Sequence, residues 1–221
     1  MKATGGRVRE ARRSGTSAAL DKEAGGIMAK LFEFKRDQIL EVAARLFYER
    51  GYRATTVDAI ADELSVTKPF IYYHFKNKED ILRHLFQRTL STSLKFFDGI
   101  DIDHGKPTEV LRQLVVRFVK GVIDSRHSTG VFWRGDKDLP VLDKKQAREF
   151  RQRFETPFRR ALTRGKESGE FRFRDLPVTL LSIEGMVNWT YIWYRPQGRL
   201  TPDELADYVS ELVVNMIATP P

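Results

Sequence analysis

The 221-residue chain predicts an all-α fold: a three-helix unit with helix-turn-helix spacing, followed by a larger helical domain. Three observations carry this. Beyond residue 35 apolar side chains recur at helical period nearly everywhere, and no segment alternates with the period of two expected of a strand. Capping residues, Gly and Pro divide the sequence into helix-length pieces. With 41% hydrophobic residues and 15 Phe, the chain has enough apolar side chain for a real core.

The expected organisation is a disordered basic arm over 1–30, a small helical domain over 31–83 and a larger one over 84–221. Residues 1–27 are rich in Gly, Ala, Ser and Arg and poor in large apolar residues. Met28 stands just before the first structured segment and is a candidate start codon. From Lys35 onward, Ile39, Val42, Ala43, Leu46 and Phe47 form one helix face, and Gly51 supplies a left-handed C-cap. Thr55 and Asp58 have capping-box spacing for a second helix, whose inner face is Ile60, Ala61 and Leu64. Ser65-Val66 makes a short turn. Thr67 caps a third helix, with Pro69 in its first turn.

Further helices are expected over 78–97, 107–125, 144–164, 177–194 and 202–218, about nine in all. A break falls at 99–107 and a loop around Gly130 and Pro140. Val110, Leu114, Val115, Phe118 and Val122 line one helix, and Phe150, Phe154, Phe158 and Leu162 the next, which Pro157 should kink. The 177–194 segment is apolar nearly all round, and Thr201-Pro202-Asp203-Glu204 is a capping box. Leu205, Tyr208, Val209, Leu212, Met216 and Ile217 then form a long stripe.

Composition excludes several classes of function. There is no cysteine, which removes disulfides, zinc–thiolate sites, iron–sulfur clusters and a cysteine nucleophile. The four histidines, His74, His84, His104 and His127, lie in no metal-ligand spacing, and neither Gly-x-Ser-x-Gly nor a phosphate loop occurs. His127 with Asp124 and Ser125 has triad residue types, but so close in sequence that a helix end explains them better. No enzyme, metal or cofactor is expected. Glu184, Asn188 and several hydroxyls argue against a membrane span at 177–194, and the N-terminus does not read as a secretory signal. The expectation is a soluble cytoplasmic protein with no membrane partner.

Net charge is +8 and the isoelectric point about 9.7, which invites a nucleic-acid partner. The densest basic block lies elsewhere, at 144–174, with 11 basic and 4 acidic residues. In the third helix, Ile71 and Phe75 anchor inward, leaving Lys68, Tyr72, Tyr73 and His74 outside with Lys76 and Lys78 beyond. Lysines and tyrosine hydroxyls suit phosphates, and Thr67, Lys68 and the aromatic edges can meet bases in the major groove. On spacing alone, the tyrosines, His74 and Pro69 serve equally well as packing of a small domain.

Ala43-x-x-Leu46-Phe47-x-x-x-Gly51-Tyr52, Thr55-Thr56-Val57-x-x-Ile60-Ala61 and Ile71-Tyr72-Tyr73-His74-Phe75-Lys76-Asn77-Lys78-Glu79 together resemble the DNA-binding domain of TetR-family regulators. The resemblance implies a homodimer that reads a palindromic double-stranded operator and is released, usually as a repressor, by a small-molecule effector. Carried onto matching positions, it implies DNA contacts at Thr56, Thr67, Lys68, Tyr72, Tyr73, His74 and Lys78. It also implies dimerisation through the last two helices, which fits their unpartnered apolar surfaces.

Aromatic clusters at Phe132-Trp133, along the 144–164 helix and at Trp189/Tyr191/Trp193/Tyr194 point to a largely apolar effector, although such stripes are core more often than binding site. Arg148, Arg151, Arg159, Arg160 and Arg164 flank the phenylalanine stripe. One helix then offers an apolar wall with a guanidinium rim, which suits an acyl-CoA thioester with its phosphorylated head. The plain alternative is a solvated face paired with Glu149 and Glu155. The run from Asn188 to Glu204 resembles that of TetR-family regulators responding to acyl-CoAs in fatty-acid and steroid-ring catabolism. The expected effector residues are Trp133, Arg148, Arg151, Phe154, Phe158, Trp189 and Trp193. Two other readings are a regulator of efflux responding to a hydrophobic or cationic compound, and a ligand-independent architectural DNA-binding protein.

Overall fold

The structure, a computed structural model, describes residues 6–134 and 144–219, with side chains described for 25–133 and 145–219. The helices are α1 (Gly6–Arg50), α2 (Val57–Glu63), α3 (Lys68–His74), α4 (Lys78–Leu94) and α5 (Pro107–Asp124), then α6 (Arg126–Arg134), α7 (Lys144–Glu167), α8 (Leu176–Asn188), α9 (Thr190–Trp193) and α10 (Pro202–Ile217). Among the described residues there is no strand beyond one isolated bridge, Phe171 with Ala218. No described helix is long and apolar enough to cross a membrane.

Two apolar clusters organise the fold. The first joins Ile39, Ala43, Leu46 and Phe47 of α1 to Ile60 of α2, Ile71 of α3 and Ile81 and Leu85 of α4. The second is built around α5, whose Val110, Leu114, Val115, Phe118 and Val122 are all buried against α7, α8, α9 and α10. Val131 of α6 belongs to the first cluster, while Tyr48 of α1 packs against both. The α1–α6 contact therefore connects the two halves of the molecule.

Local signals explain most helix ends. Gly51 adopts φ 87° at the end of α1, and Thr201 with Glu204 forms the reciprocal capping box of α10. At the end of α2, Ser65 takes φ 53°. Its N–H donates to Asp62 O, and the Val66 N–H donates to Ala61 O, the double bond of a Schellman turn.

Four expectations are corrected. Helix α1 begins at Gly6, within the stretch read as a disordered arm: its Ala, Arg, Glu and Lys are good helix formers, and extending a nucleated helix is cheap. The N-cap of α2 is Thr56, which accepts from the Ala59 N–H at 3.1 Å. Thr55 is buried instead, and its hydroxyl donates to Leu46 O and Gly51 O. The 177–194 segment divides into α8 and α9 around Trp189, where the Thr190 hydroxyl donates back to Val187 O at 2.7 Å and competes with the helical ladder.

Finally, Gly130 lies inside α6 rather than in a loop, while Pro140 falls outside the described residues. A Cβ at Gly130 would stand 2.3 Å from the Tyr48 ring, which itself packs against His127 and Tyr191. This glycine permits close approach of α1 and α6. Gly130→Ala should cost about 1–3 kcal/mol by overpacking, read as a lowered urea midpoint at unchanged slope.

Candidate DNA interface and effector cavity

The α2–turn–α3 unit presents one face of α3 outward. Ile71 and Phe75 are buried, while Tyr73 is 73% exposed and Tyr72 and Lys68 also face solvent. The exposed N-cap residue Thr67 makes no side-chain capping bond. The Lys68 ammonium meets the Asp58 carboxylate at 2.8 Å, and that hydrogen bond and charge raise its pKa. Thr56, also exposed, uses a hydroxyl lone pair in capping, which leaves its O–H to donate outward.

Two expected contact residues sit differently. His74 is buried rather than outside: its ring lies 4.5 Å from Phe32 and 4.9 Å from Phe70. Burial, then the Arg36 charge, lowers its pKa against the opposing pull of Glu33. Lys78 turns inward and donates to the carbonyls of Tyr52 (2.8 Å), Arg53 (3.3 Å) and Thr55 (2.8 Å). Its ammonium closes the turn between α1 and α2, and burial lowers its pKa. Reading the first helix from residue 35 left out Phe32, which stands seven residues before Ile39 on the same face and covers His74. Sequence reading also missed Arg36, which shares a surface groove with Tyr72, Tyr73, Lys76 and Arg83.

A cavity of about 420 Å³ opens among α4–α8. Its apolar walls include Phe118 and Val122 of α5, Phe132 and Trp133 of α6, and Phe150 and Phe154 of α7. Thr89, Ser93, Thr129 and Asn188 add polar points, and the exposed Arg148 and Arg151 mark the rim. Glu184 of α8 also lines this space, with Oε1 buried and lacking a hydrogen-bond partner. A larger polar cleft of about 870 Å³ lies between α1, α4, α5 and α6, where Arg88 pairs with Glu41 and Asp37, and Lys120 with Asp203.

The structure thus brings Trp133, Arg148, Arg151 and Phe154 together and leaves three expected residues out. Phe158 is fully buried behind the wall, with its ring 5.3 Å from Phe97 and 6.0 Å from Phe118. Trp189 and Trp193 are 60% and 47% exposed and do not line the cavity, because the break at Trp189 carries their side chains to the outer surface. The arginine block also divides. Arg159 pairs with Glu155, while Arg160 and Arg164 hold the α4–α5 connection through Asp103, Ile102 O and Gly105 O.

Comparison with known proteins bears on both regions. Residues 39–85 match the family described as bacterial regulatory proteins, tetR family, and 104–217 match the tetracyclin repressor-like C-terminal domain. The chain belongs to the TetR family. It is a transcriptional regulator whose N-terminal unit is the family's helix-turn-helix DNA-binding domain. Among the relatives of this TetR-family protein is the HTH-type transcriptional repressor KstR2 of Rhodococcus jostii, 28% identical over 84% of this chain and 92% of its own. The structure of the ketosteroid transcriptional regulator KstR2 of Mycobacterium tuberculosis superposes with a TM-score of 0.73 at 25% identity, over 84% of this chain and 96% of that one. AibR, solved in complex with isovaleryl coenzyme A and operator DNA, gives 0.64 at 26% identity, over 84% and 99%.

Proposed function

We propose that the protein is a homodimeric repressor that binds a palindromic operator and is released by an acyl-CoA thioester. The observation that carries this is the aromatic cavity with Arg148 and Arg151 at its exposed edge, which offers an apolar wall to an acyl chain and bidentate donors to phosphates. The KstR2 and AibR relatives support it: the former are repressors and the latter is bound to a CoA thioester and to operator DNA. In this reading Thr56, Thr67, Lys68, Tyr72 and Tyr73 contact DNA, with Arg36 beside them. His74 and Lys78 support that surface from within. Phe132 lines the cavity and also packs against the core of the DNA-binding domain, so a ligand against α6 acts on the same packing that orients α3.

Dimerisation rests on a second surface. Val178 and Leu181 of α8, Trp189 at its C-terminal end, and Tyr208, Leu212 and Met216 of α10 are exposed large apolar residues at helical spacing. Gly185 stands within the α8 stripe, and a Cβ there would meet nothing in its own chain. A mid-helix glycine costs about 0.5–1 kcal/mol relative to alanine, and close approach of a partner helix supplies the reason for one here.

Arg148→Glu combined with Arg151→Gln should weaken release by decanoyl-CoA about 10- to 100-fold, since a hydrogen bond to a charged group is worth about 1.5–3 kcal/mol. Operator affinity without effector should stay the same. Titrating the thioester into the operator complex reads both quantities. Loss of operator binding itself would assign these arginines to the DNA surface.

A further inference from the structure

Among the described residues of the cavity, one buried group would be left unsatisfied by a purely apolar acyl chain. Glu184 lines a space walled by phenylalanines, its Oε1 is buried and unpartnered, and such an orphaned carboxyl carries a desolvation cost unless a ligand engages it. Among the described residues, the charged groups facing it come from α7. Glu155 repels its ionised form, while Arg151 and Arg159 favour it. Arg159 is already held by Glu155 at 2.6 Å, while Arg151, exposed at the rim, comes no closer than 3.8 Å to Glu155. The cavity residues contributed by α4, α5 and α6 carry no ionisable side chain. Burial and the Glu155 charge push the Glu184 carboxyl up to about 7, so the neutral acid is readily available at neutral pH.

We propose that Glu184 serves as the effector's buried anchor, donating a hydrogen bond from its neutral carboxyl to a carbonyl oxygen on the apolar body of the ligand. The arginine rim excludes a cationic ligand and holds the anionic head at the surface. Glu184 reads a second, uncharged oxygen deeper in the cavity. Asn188, one helical turn along α8 and also lining the cavity, can support the same oxygen with its amide. The effector class is therefore an oxygenated acyl-CoA, with a ketone in the chain beyond the thioester. This deepens the acyl-CoA reading and rests on it.

The test is calorimetric binding of decanoyl-CoA and 6-oxodecanoyl-CoA to the full-length dimer between pH 6 and pH 8. Only the neutral acid donates, so affinity for the keto thioester should fall about 10-fold over that range, following the neutral fraction of a group titrating at about 7. Glu184→Gln keeps a donor and should keep the keto preference while losing this pH dependence. Glu184→Leu should bind the two thioesters alike. Equal binding of both by the wild type, or a pH slope that survives in Glu184→Gln, would overturn the assignment while leaving the acyl-CoA reading intact. Failure of both thioesters to bind would overturn both. Preference for a 6-amino chain over the 6-keto chain would give Glu184 an ionised role and overturn the assignment too. A 13C NMR titration of the unliganded dimer, assigned with Glu184→Gln, should show this carboxyl titrating near neutrality. A transition in the ordinary carboxylate range would contradict the proposal without reference to any ligand.

Discussion

Leu212→Asp is expected to leave the protein monomeric and to cut operator affinity at least about 100-fold. Leu212 sits between Tyr208 and Met216 on the outer stripe of α10, and its 42% exposure belongs to the single chain. In a two-fold interface every substitution counts twice, so two carboxylates would be buried in an apolar contact. At about 2 kcal/mol or more for each, the dimer would weaken by roughly three orders of magnitude. The monomer should still fold, because α10 is held by its inner face of Leu205, Val209, Val213 and Ile217 against α5. Analytical ultracentrifugation with circular dichroism separates the two effects. A variant that stays dimeric with full operator affinity would remove the last two helices from the interface.

The second large effect concerns α3. Tyr73→Ala should lower operator affinity at least about 30-fold at fixed salt, because each dimer loses the contact in both half-sites and a specific contact is worth about 1–3 kcal/mol. Tyr73 is the most exposed large residue of the helix, and its removal leaves the Ile71 and Phe75 anchors untouched. Lys68→Ala should act differently, weakening specific and nonspecific DNA alike and reducing the salt slope by about one unit per copy. In both variants the dimer and the affinity for decanoyl-CoA should be retained. Loss of the dimer would contradict the placement of these residues, and undiminished operator affinity for both would take α3 out of the DNA interface.

His74 adds a pH dependence of the opposite kind. Its folded-state pKa is lowered, so the unfolded chain binds more protons once pH drops below about 6.5, and the stability of the α1–α3 packing should decline there. His74→Phe should flatten that decline in urea melts taken between pH 7 and pH 5. An unchanged profile would show that His74 does not govern it.

The inner faces of α1, α2, α3 and α5 were legible because each element buries one stripe that repeats at helical period, whereas the stripe read on α10 merges the buried Leu205, Val209 and Ile217 with the exposed Tyr208, Leu212 and Met216. The outward placement of Tyr72 and Tyr73 was legible for the same reason. What could not be read is which partner covers a polar or aromatic group. His74 is buried by Phe32, and Lys78 is turned inward by three carbonyls of a turn more than twenty residues upstream. The aromatic-rich C-terminal segment was ambiguous in the same way. Trp189 and Trp193 look like pocket residues by type, and only the break between α8 and α9 decides that they face outward. Gly130 reads as a breaker until the ring of Tyr48 is seen against it.

The most direct test of the effector-controlled regulator is fluorescence anisotropy of the purified dimer on its own upstream DNA at one stated salt concentration. Decanoyl-CoA, decanoate and free CoA are titrated separately into the complex. The account predicts release by the thioester and by neither fragment, because the apolar cavity and the arginine rim must be engaged together. An operator complex that all three leave intact, or that decanoate alone releases equally well, would contradict it.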